Sequence, residues 1–488
     1  MHQSVASLPP QVLQLLKRNE IVTMKSLQIL LIAATVVALP ACGDDPVTPA
    51  GDAMPDAMPD SDVPPPPMMD AGPDAPPPTG GDGNESFADA VEVTVNSMDG
   101  AGGAIGVPGD HDFYSFEGAA GEWMIIDTDA NPDDDTTKVD TVIRLFDSEM
   151  NMLAENDDSV PRVNTDSEII TRLPNAGTYY IEVLEFSDWR ADDGVEPEGD
   201  PSYSYNLTVT RINPMAETVT VDAEAGDDDA SAQAFPVTAG TINLLLGTFE
   251  DGTDTDVFSI AVPAGMALNN LSAEIMPSGP TGYGSTSDAG NIELANAEGT
   301  AVIARINQSM GQSDLGPTVA ESTTYLVRVT HSGGRIGTND FYVLKVTIGA
   351  ENTPEAFETE NDMLAGAEAL DSMVRPDGTR SAFLLANLIS DEDVDHFSLA
   401  PMAGEQLTAV CGSASSGSGV RGLTLSIHNA AGTMLTSASE SATESALVRD
   451  FAVPAGSSSL IVRLSKTSQD AEVTSDFVRC GFHLSTPM

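Results

Sequence analysis

Asp110-His111-Asp112-Phe113-Tyr114-Ser115-Phe116 returns as Asp254-Thr255-Asp256-Val257-Phe258-Ser259-Ile260, and again as Asp393-Val394-Asp395-His396-Phe397-Ser398-Leu399. The copies start 144 and 139 residues apart, so the repeated unit is a whole domain rather than a solenoid turn. In each copy a short gap ending in Gly121, Gly265 or Gly404 leads to a fresh apolar run: Trp123 to Ile126, Leu268 to Ile275, Leu407 to Val410. This pattern predicts a hairpin at every gap. Each copy later carries a second apolar run, at Gly177–Val183, Thr324–Val329 and Ser459–Leu464, and closes on an alternating strand. The closing sets are Tyr205, Leu207, Val209; Tyr342, Leu344, Val346, Ile348; and Val478, Cys480, Phe482, Leu484. Period-two alternation marks half-buried strands. No stretch after residue 85 holds a helical period for three turns, although Ser86 to Val91 and Asn361 to Leu370 suit short helical entry turns. The fold class read from these patterns is all-β.

Composition agrees with that reading and narrows the function. The chain has 488 residues, enough for about three domains. Hydrophobic residues make up 41%, too many for a disordered chain, and 42 Gly with 32 Pro supply many turns. Twenty Lys and Arg face 75 Asp and Glu, a net charge of −55. A polyanion of that size is repelled by phosphate backbones, so no nucleic-acid partner is expected.

Two segments precede the repeats. From Met24-Lys25 an apolar run of about 13 residues reaches Leu39, too short for the ~20 residues of a membrane span. Leu39-Pro40-Ala41-Cys42 resembles the lipobox of bacterial lipoproteins. That resemblance implies an acylated Cys42 as first mature residue and a lipid-anchored place in the bacterial cell envelope, with Gly43 pointing to the outer membrane; Met24-Lys25 by itself reads as the true start. From Gly43 to Glu85 stand twelve Pro, ten Asp or Glu, no Lys or Arg and no aromatic residue. Such a segment forms no core; it would span about 36 Å as a coil and about 130 Å as a polyproline rod. It is either a stalk or a spacer without a length requirement.

The repeats also resemble a known family, the bacterial pre-peptidase C-terminal domain. Copy one carries the resemblance through Asn84-Glu85-Ser86, Asp110 to Phe116, Asp140 to Asp147, Asn156 to Ser159, Ala176 to Val183 and Tyr205 to Val209. Copy two lacks the Asn-Asp-Asp turn, and copy three has serines where the tyrosines should be. The resemblance implies three tandem jelly-roll-like β-sandwich domains. The expected division is a signal segment at 1–41, a disordered acidic Pro-rich linker at 42–83, and sandwiches at 84–213, 214–350 and 351–488.

Signatures of catalysis are missing. None of the six His is followed by Glu, which excludes a His-Glu-x-x-His zinc site. Gly412-Ser413-Ala414-Ser415-Ser416-Gly417 has the wrong spacing for a nucleophile elbow, and no Gly-Lys pair offers a phosphate loop. His111 and His396 sit at different offsets in the repeated segment and share no role. The chain is read as no enzyme.

Two constellations remain. Asp127, Asp129 and Asp140, with Asp157 and Asp158 one hairpin later, offer hard oxygen donors suited to Ca²⁺, although Pro132 and Lys138 exclude an EF-hand loop. The same carboxylates also read as a solvated acidic loop. Cys411 and Cys480 fall in one copy, 69 residues apart, and form either a disulfide or two reduced core thiols. The functional expectation is a surface-anchored lipoprotein without catalysis, which displays three modules for adhesion to an extracellular polymer or protein and reaches the membrane through Cys42. The alternative is an accessory folding or targeting factor for a separately encoded secreted peptidase.

Overall fold

The computed structural model describes residues 83–130, 132, 139–157, 165–222, 232–262, 269–279, 281–287, 290–307, 312, 314–320, 323–331, 337, 339–349, 361–374, 379–402, 404–441 and 445–486. Cys42 and the acidic Pro-rich segment lie outside these residues. The described chain is almost entirely β. Among the described residues no helix is long and apolar enough to cross a membrane.

The first sandwich holds β1 (Val91–Glu92), β2 (Ala101–Ala104), β3 (Asp112–Gly118), β4 (Trp123–Asp129), β5 (Thr141–Phe146), β6 (Met152–Asn156), β7 (Glu168–Arg172), β8 (Gly177–Glu185) and β9 (Ser204–Arg211). The second holds β10 (Val219–Val221), β11 (Gln233–Ala234), β12 (Ile242–Thr248), β13 (Thr255–Ala261), β14 (Asn269–Ile275), β15 (Gly290–Asn296), β16 (Val302–Asn307), β17 (Asp314–Ala320), β18 (Thr324–His331) and β19 (Phe341–Gly349). The third begins with β20 (Glu368–Ala369), β21 (Met373–Val374), β22 (Arg380–Asn387), β23 (Val394–Leu399), β24 (Gln406–Gly412) and β25 (Val420–Arg421). It ends with β26 (Thr424–Asn429), β27 (Met434–Ser439), β28 (Ala446–Ala452), β29 (Leu460–Ser465), β30 (Ser468–Gln469) and β31 (Phe477–Ser485).

One strand order serves all three. The sheet β1-β3-β8-β5-β6 corresponds to β11-β13-β18-β15-β16 and to β20-β23-β29-β26-β27. The facing sheets are β2-β9-β4-β7, β10-β12-β19-β14-β17 and β21-β22-β31-β24-β28. Each pair encloses its own apolar cluster. The expected hairpins after the repeated segment are not formed: β3 and β4 lie in opposite sheets, as do β13 and β14, and β23 and β24. Gly121 and Gly404, at φ 79° and 86°, turn the chain in the left-handed region. The turn carries it over the core to the facing sheet, because both flanking strands have an apolar side to bury.

The sandwiches pack on one another. Ile170 and Ile212 of the first join Leu246, Met276, Tyr283, Phe341 and Val343 of the second in one buried cluster. Trp123 meets Phe341 edge to face, ring centres 5.3 Å apart. Burying each such side chain contributes about 1.5–3 kcal/mol. Across the other junction, Leu385 and Phe477 of the third sandwich enter the core cluster of the second. The backbone of Thr474 donates to Val302 O at 2.9 Å, and that of Ser475 to Ile303 O at 3.0 Å.

Candidate functional site

The repeated carboxylates explain themselves once the strands are placed. The first aspartate of each pair closes the loop before its strand: Asp110 Oδ2 accepts from Gly106 N at 2.7 Å, Asp254 Oδ2 from Glu250 N at 2.8 Å, and Asp393 Oδ2 from Ile389 N at 2.6 Å. A short loop thereby satisfies a backbone donor through a side chain. The second aspartate of each pair, Asp112, Asp256 or Asp395, is buried at the head of the strand.

What meets that second aspartate differs between copies. In the first sandwich the Tyr205 hydroxyl donates to Asp112 and lies 2.9 Å from the Tyr114 hydroxyl. Burial pushes the Tyr205 phenol well above its usual range, and Tyr114 and Asp112 push it further. In the second, Tyr342 takes the same register position, with burial and then Asp256 and Asp222 raising its phenol. Gly103 and Gly247, the cross-strand partners of Tyr205 and Tyr342, leave room for the rings, since a Cβ at either would overlap tyrosine atoms. In the third the corresponding pair is Ala386 and Val478, and Asp395 has no tyrosine opposite.

There Asp362, Asp393 and Asp395 come together, one oxygen from each lying within 4.8 Å of the others. Burial raises the Asp393 carboxyl above its usual range, and Asp362 adds to the rise against the Ile389 N–H that lowers it. Three hard oxygen donors at the start of one strand suit a Ca²⁺-class cation. The carboxylates expected to bind one from sequence are arranged otherwise. Asp127 and Asp129 stand on the outer face of β4, Asp140 precedes β5, Asp157 follows β6, and Asp158 lies outside the described residues. Among the described residues no group of three metal-ligating side chains forms from that set. Sequence signals for the third-sandwich group exist, as Asn361-Asp362 and Asp393-Val394-Asp395, but 31 residues separate them.

The remaining polar centres are engaged internally. His111 bridges Glu182, at 2.7 Å, and Asp188. Burial opposes its charge, yet the two carboxylates prevail and its pKa rises to about 9. Arg144 holds the other side of Glu182 and reaches Glu155 at 2.6 Å. Ser426 Oγ lies 2.9 Å from His428 Nε2, but both belong to β26 and Ser426 is only 2% exposed, which gives a substrate no access to the hydroxyl. The serine run after Gly412 is a carboxylate cradle: Ser413 and Ser415 donate to Glu440 through both backbone N–H and hydroxyl. Cys411 and Cys480 are register partners on β24 and β31 and are joined by a disulfide.

The aspartate pair, the aromatic strand and the Gly177-to-Val183 strand, brought together at β3 and β8, fall within a single sequence match. Residues 110–185 match the bacterial pre-peptidase C-terminal domain. No curated protein matches the chain. Among solved structures, the pre-peptidase C-terminal domain of collagenase from Bacillus anthracis is similar at 16% identity, covering 25% of this chain and 93% of that one, with a TM-score of 0.18. The CUB1-EGF-CUB2 domains of rat MASP-1 are similar at 8% identity, covering 51% of this chain and 99% of that one, with a TM-score of 0.18.

Proposed function

We propose that the chain is a non-catalytic binding protein, anchored through a lipid on Cys42, that presents three sandwiches of pre-peptidase C-terminal type to an extracellular polymer or protein. The observation carrying this reading is the use made of its polar groups: the first aspartate of each repeat closes a loop, the second faces a tyrosine in the first two sandwiches, and the Ser426–His428 contact is sealed within a sheet. A membrane-anchored protein built this way acts through its surfaces. The Asp362, Asp393 and Asp395 group would hold a divalent cation as a clamp on the opening of the third sandwich.

Two experiments test the proposal. Cys42→Ser should move the protein out of the detergent-extracted membrane fraction, and unchanged extraction would remove the anchor. Binding of the full chain to glycan and protein arrays should give hits without turnover of any bound substrate. The match to a pre-peptidase domain supports a second reading, a folding or targeting factor for a peptidase encoded elsewhere. Co-purification with such a peptidase, in the absence of array binding, would favour it.

A further inference from the structure

The outer face of β23, β29, β26 and β27 differs from the rest of this acidic chain. Strand registers place His396, Arg463, Ser426 and Ser437 side by side in one row. Val394, Ser465, Thr424 and Ser439 form the row on one side, and Ser398, Ile461, His428 and Met434 the row on the other. Ser437 and Ser439 are exposed, while His396, Arg463 and His428 are half-buried. None of these positions is Asp or Glu, in a chain that has 75 of them.

Arg463 differs from the ion-paired arginines, as does Arg172, which donates to Asn339 Oδ1 at 3.3 Å. Arg144, Arg305, Arg328 and Arg479 each pair with a carboxylate. The Arg463 guanidinium instead donates to Ser465 Oγ at 3.2 Å, and among the described residues it pairs with no carboxylate. The charges acting on its neighbour His396 are those of Arg463 and His428, both of one sign. A guanidinium on an acid-free face is a place for a planar or tetrahedral anion.

We infer that this face binds a polyanionic polysaccharide, with Arg463 at its sulfate or carboxylate groups and the exposed hydroxyls of Ser437 and Ser439 at its sugar hydroxyls. The inference rests on the binding reading above and gives it a place and a ligand class. A protein partner fits less well, because the face offers no aromatic anchor, Ile461 is only 5% exposed, and the exposed Met434 stands at its edge on β27. Nucleic acid is disfavoured because a phosphate backbone is tracked by a row of cations, and this face offers a single guanidinium and no lysine.

The test is retention of the full chain on immobilised dextran sulfate and on polygalacturonate, with neutral dextran and duplex DNA as comparisons. The wild type should be retained by a charged polysaccharide and released by salt. Arg463→Gln should weaken binding about tenfold or more. Ser437→Asp places a carboxylate on the face at an exposed position that folding tolerates, and should weaken it equally. Arg449→Gln, at an exposed arginine on β28, should leave binding unchanged. Wild-type binding by both face variants, or equal retention on DNA, would overturn the inference. So would passage through both charged columns; array hits on neutral polymers or proteins would then leave the binding reading standing, and their absence would end both.

Discussion

Glu274→Gln should make stability at the junctions nearly independent of pH across the range where the wild type loses it. Glu274 stands on β14 opposite Lys345 of β19 and Asp314 of β17. Lys345 reaches Glu168 of the first sandwich at 2.6 Å, and Asp314 pairs with Arg479 of the third. Three carboxylates thus share two cations in a row that crosses the middle sandwich from one junction to the other. Burial, then Asp314 and Glu168, raise the Glu274 carboxyl from 4.5 to about 7, against Lys345 and Arg479 which lower it. A proton on Glu274 brings the row to neutrality.

The sign follows from linkage. Below the ordinary value both packed and unfolded states bind the proton, and between 4.5 and about 7 the unfolded state releases it first. Stability therefore falls as pH rises through this window and stays low above it. A shift from 4.5 to about 7 corresponds to about 3 kcal/mol at ~1.4 kcal/mol per unit. Glutamine keeps the shape of the protonated carboxyl and does not titrate. Trp123 lies in the first junction against Phe341, so its emission in a Trp189→Phe background reports that contact during denaturant unfolding. The stability of Glu274→Gln relative to wild type should improve by about 3 kcal/mol between about pH 5 and about pH 8. An unchanged difference at the two pH values would refute the reasoning.

Other outcomes follow from centres described above. His111, with its pKa raised to about 9, stabilises fully below its unfolded value of 6.5 and loses that contribution as pH rises through about 9. His111→Gln should cost about 2 kcal/mol near neutrality, allowing for solvent screening, and little at strongly alkaline pH, as read by thermal melts. Gly103→Ala should destabilise the first sandwich by about 1–3 kcal/mol through overlap with Tyr114 and Tyr205, whereas Ala386→Gly in the third, where Val478 stands opposite, relieves no such crowding. Adding Ca²⁺ should raise the melting temperature of the wild type, and Asp362→Asn with Asp393→Asn should remove the gain while Asp127→Asn keeps it.

Much of the architecture was legible because it is written in short-range patterns. Alternation at Tyr205, Leu207 and Val209, or at Val478, Cys480, Phe482 and Leu484, marks core faces without knowledge of partners. The Asp-x-Asp segment showed the period, and its loop-closing bond spans only four residues, within reach of local reading. The crossing from β3 to β4 was not legible, since an apolar strand after a glycine turn suits a hairpin and an arch equally. The cation group was missed because the dense acidic run near Asp127 draws attention, while Asp362 meets Asp393 only after β20 and β23 pair in parallel. The row from Glu168 to Arg479 joins residues from three sandwiches, and nothing in their separate sequences sets that register.

The disulfide has a mechanical meaning. Cys411 and Cys480 occupy the register position held by Thr128 and Leu207 in the first sandwich and by Ile275 and Leu344 in the second. A pull transmitted along the chain can draw out the first two sandwiches strand by strand, but in the third the 69-residue span between the cysteines is bypassed by the covalent link. At about 3.5 Å per extended residue, roughly 240 Å of slack is withheld while the link is intact. The third sandwich is therefore the one in which a load cannot unravel the span between the cysteines, and a reductant in the surroundings would release that length.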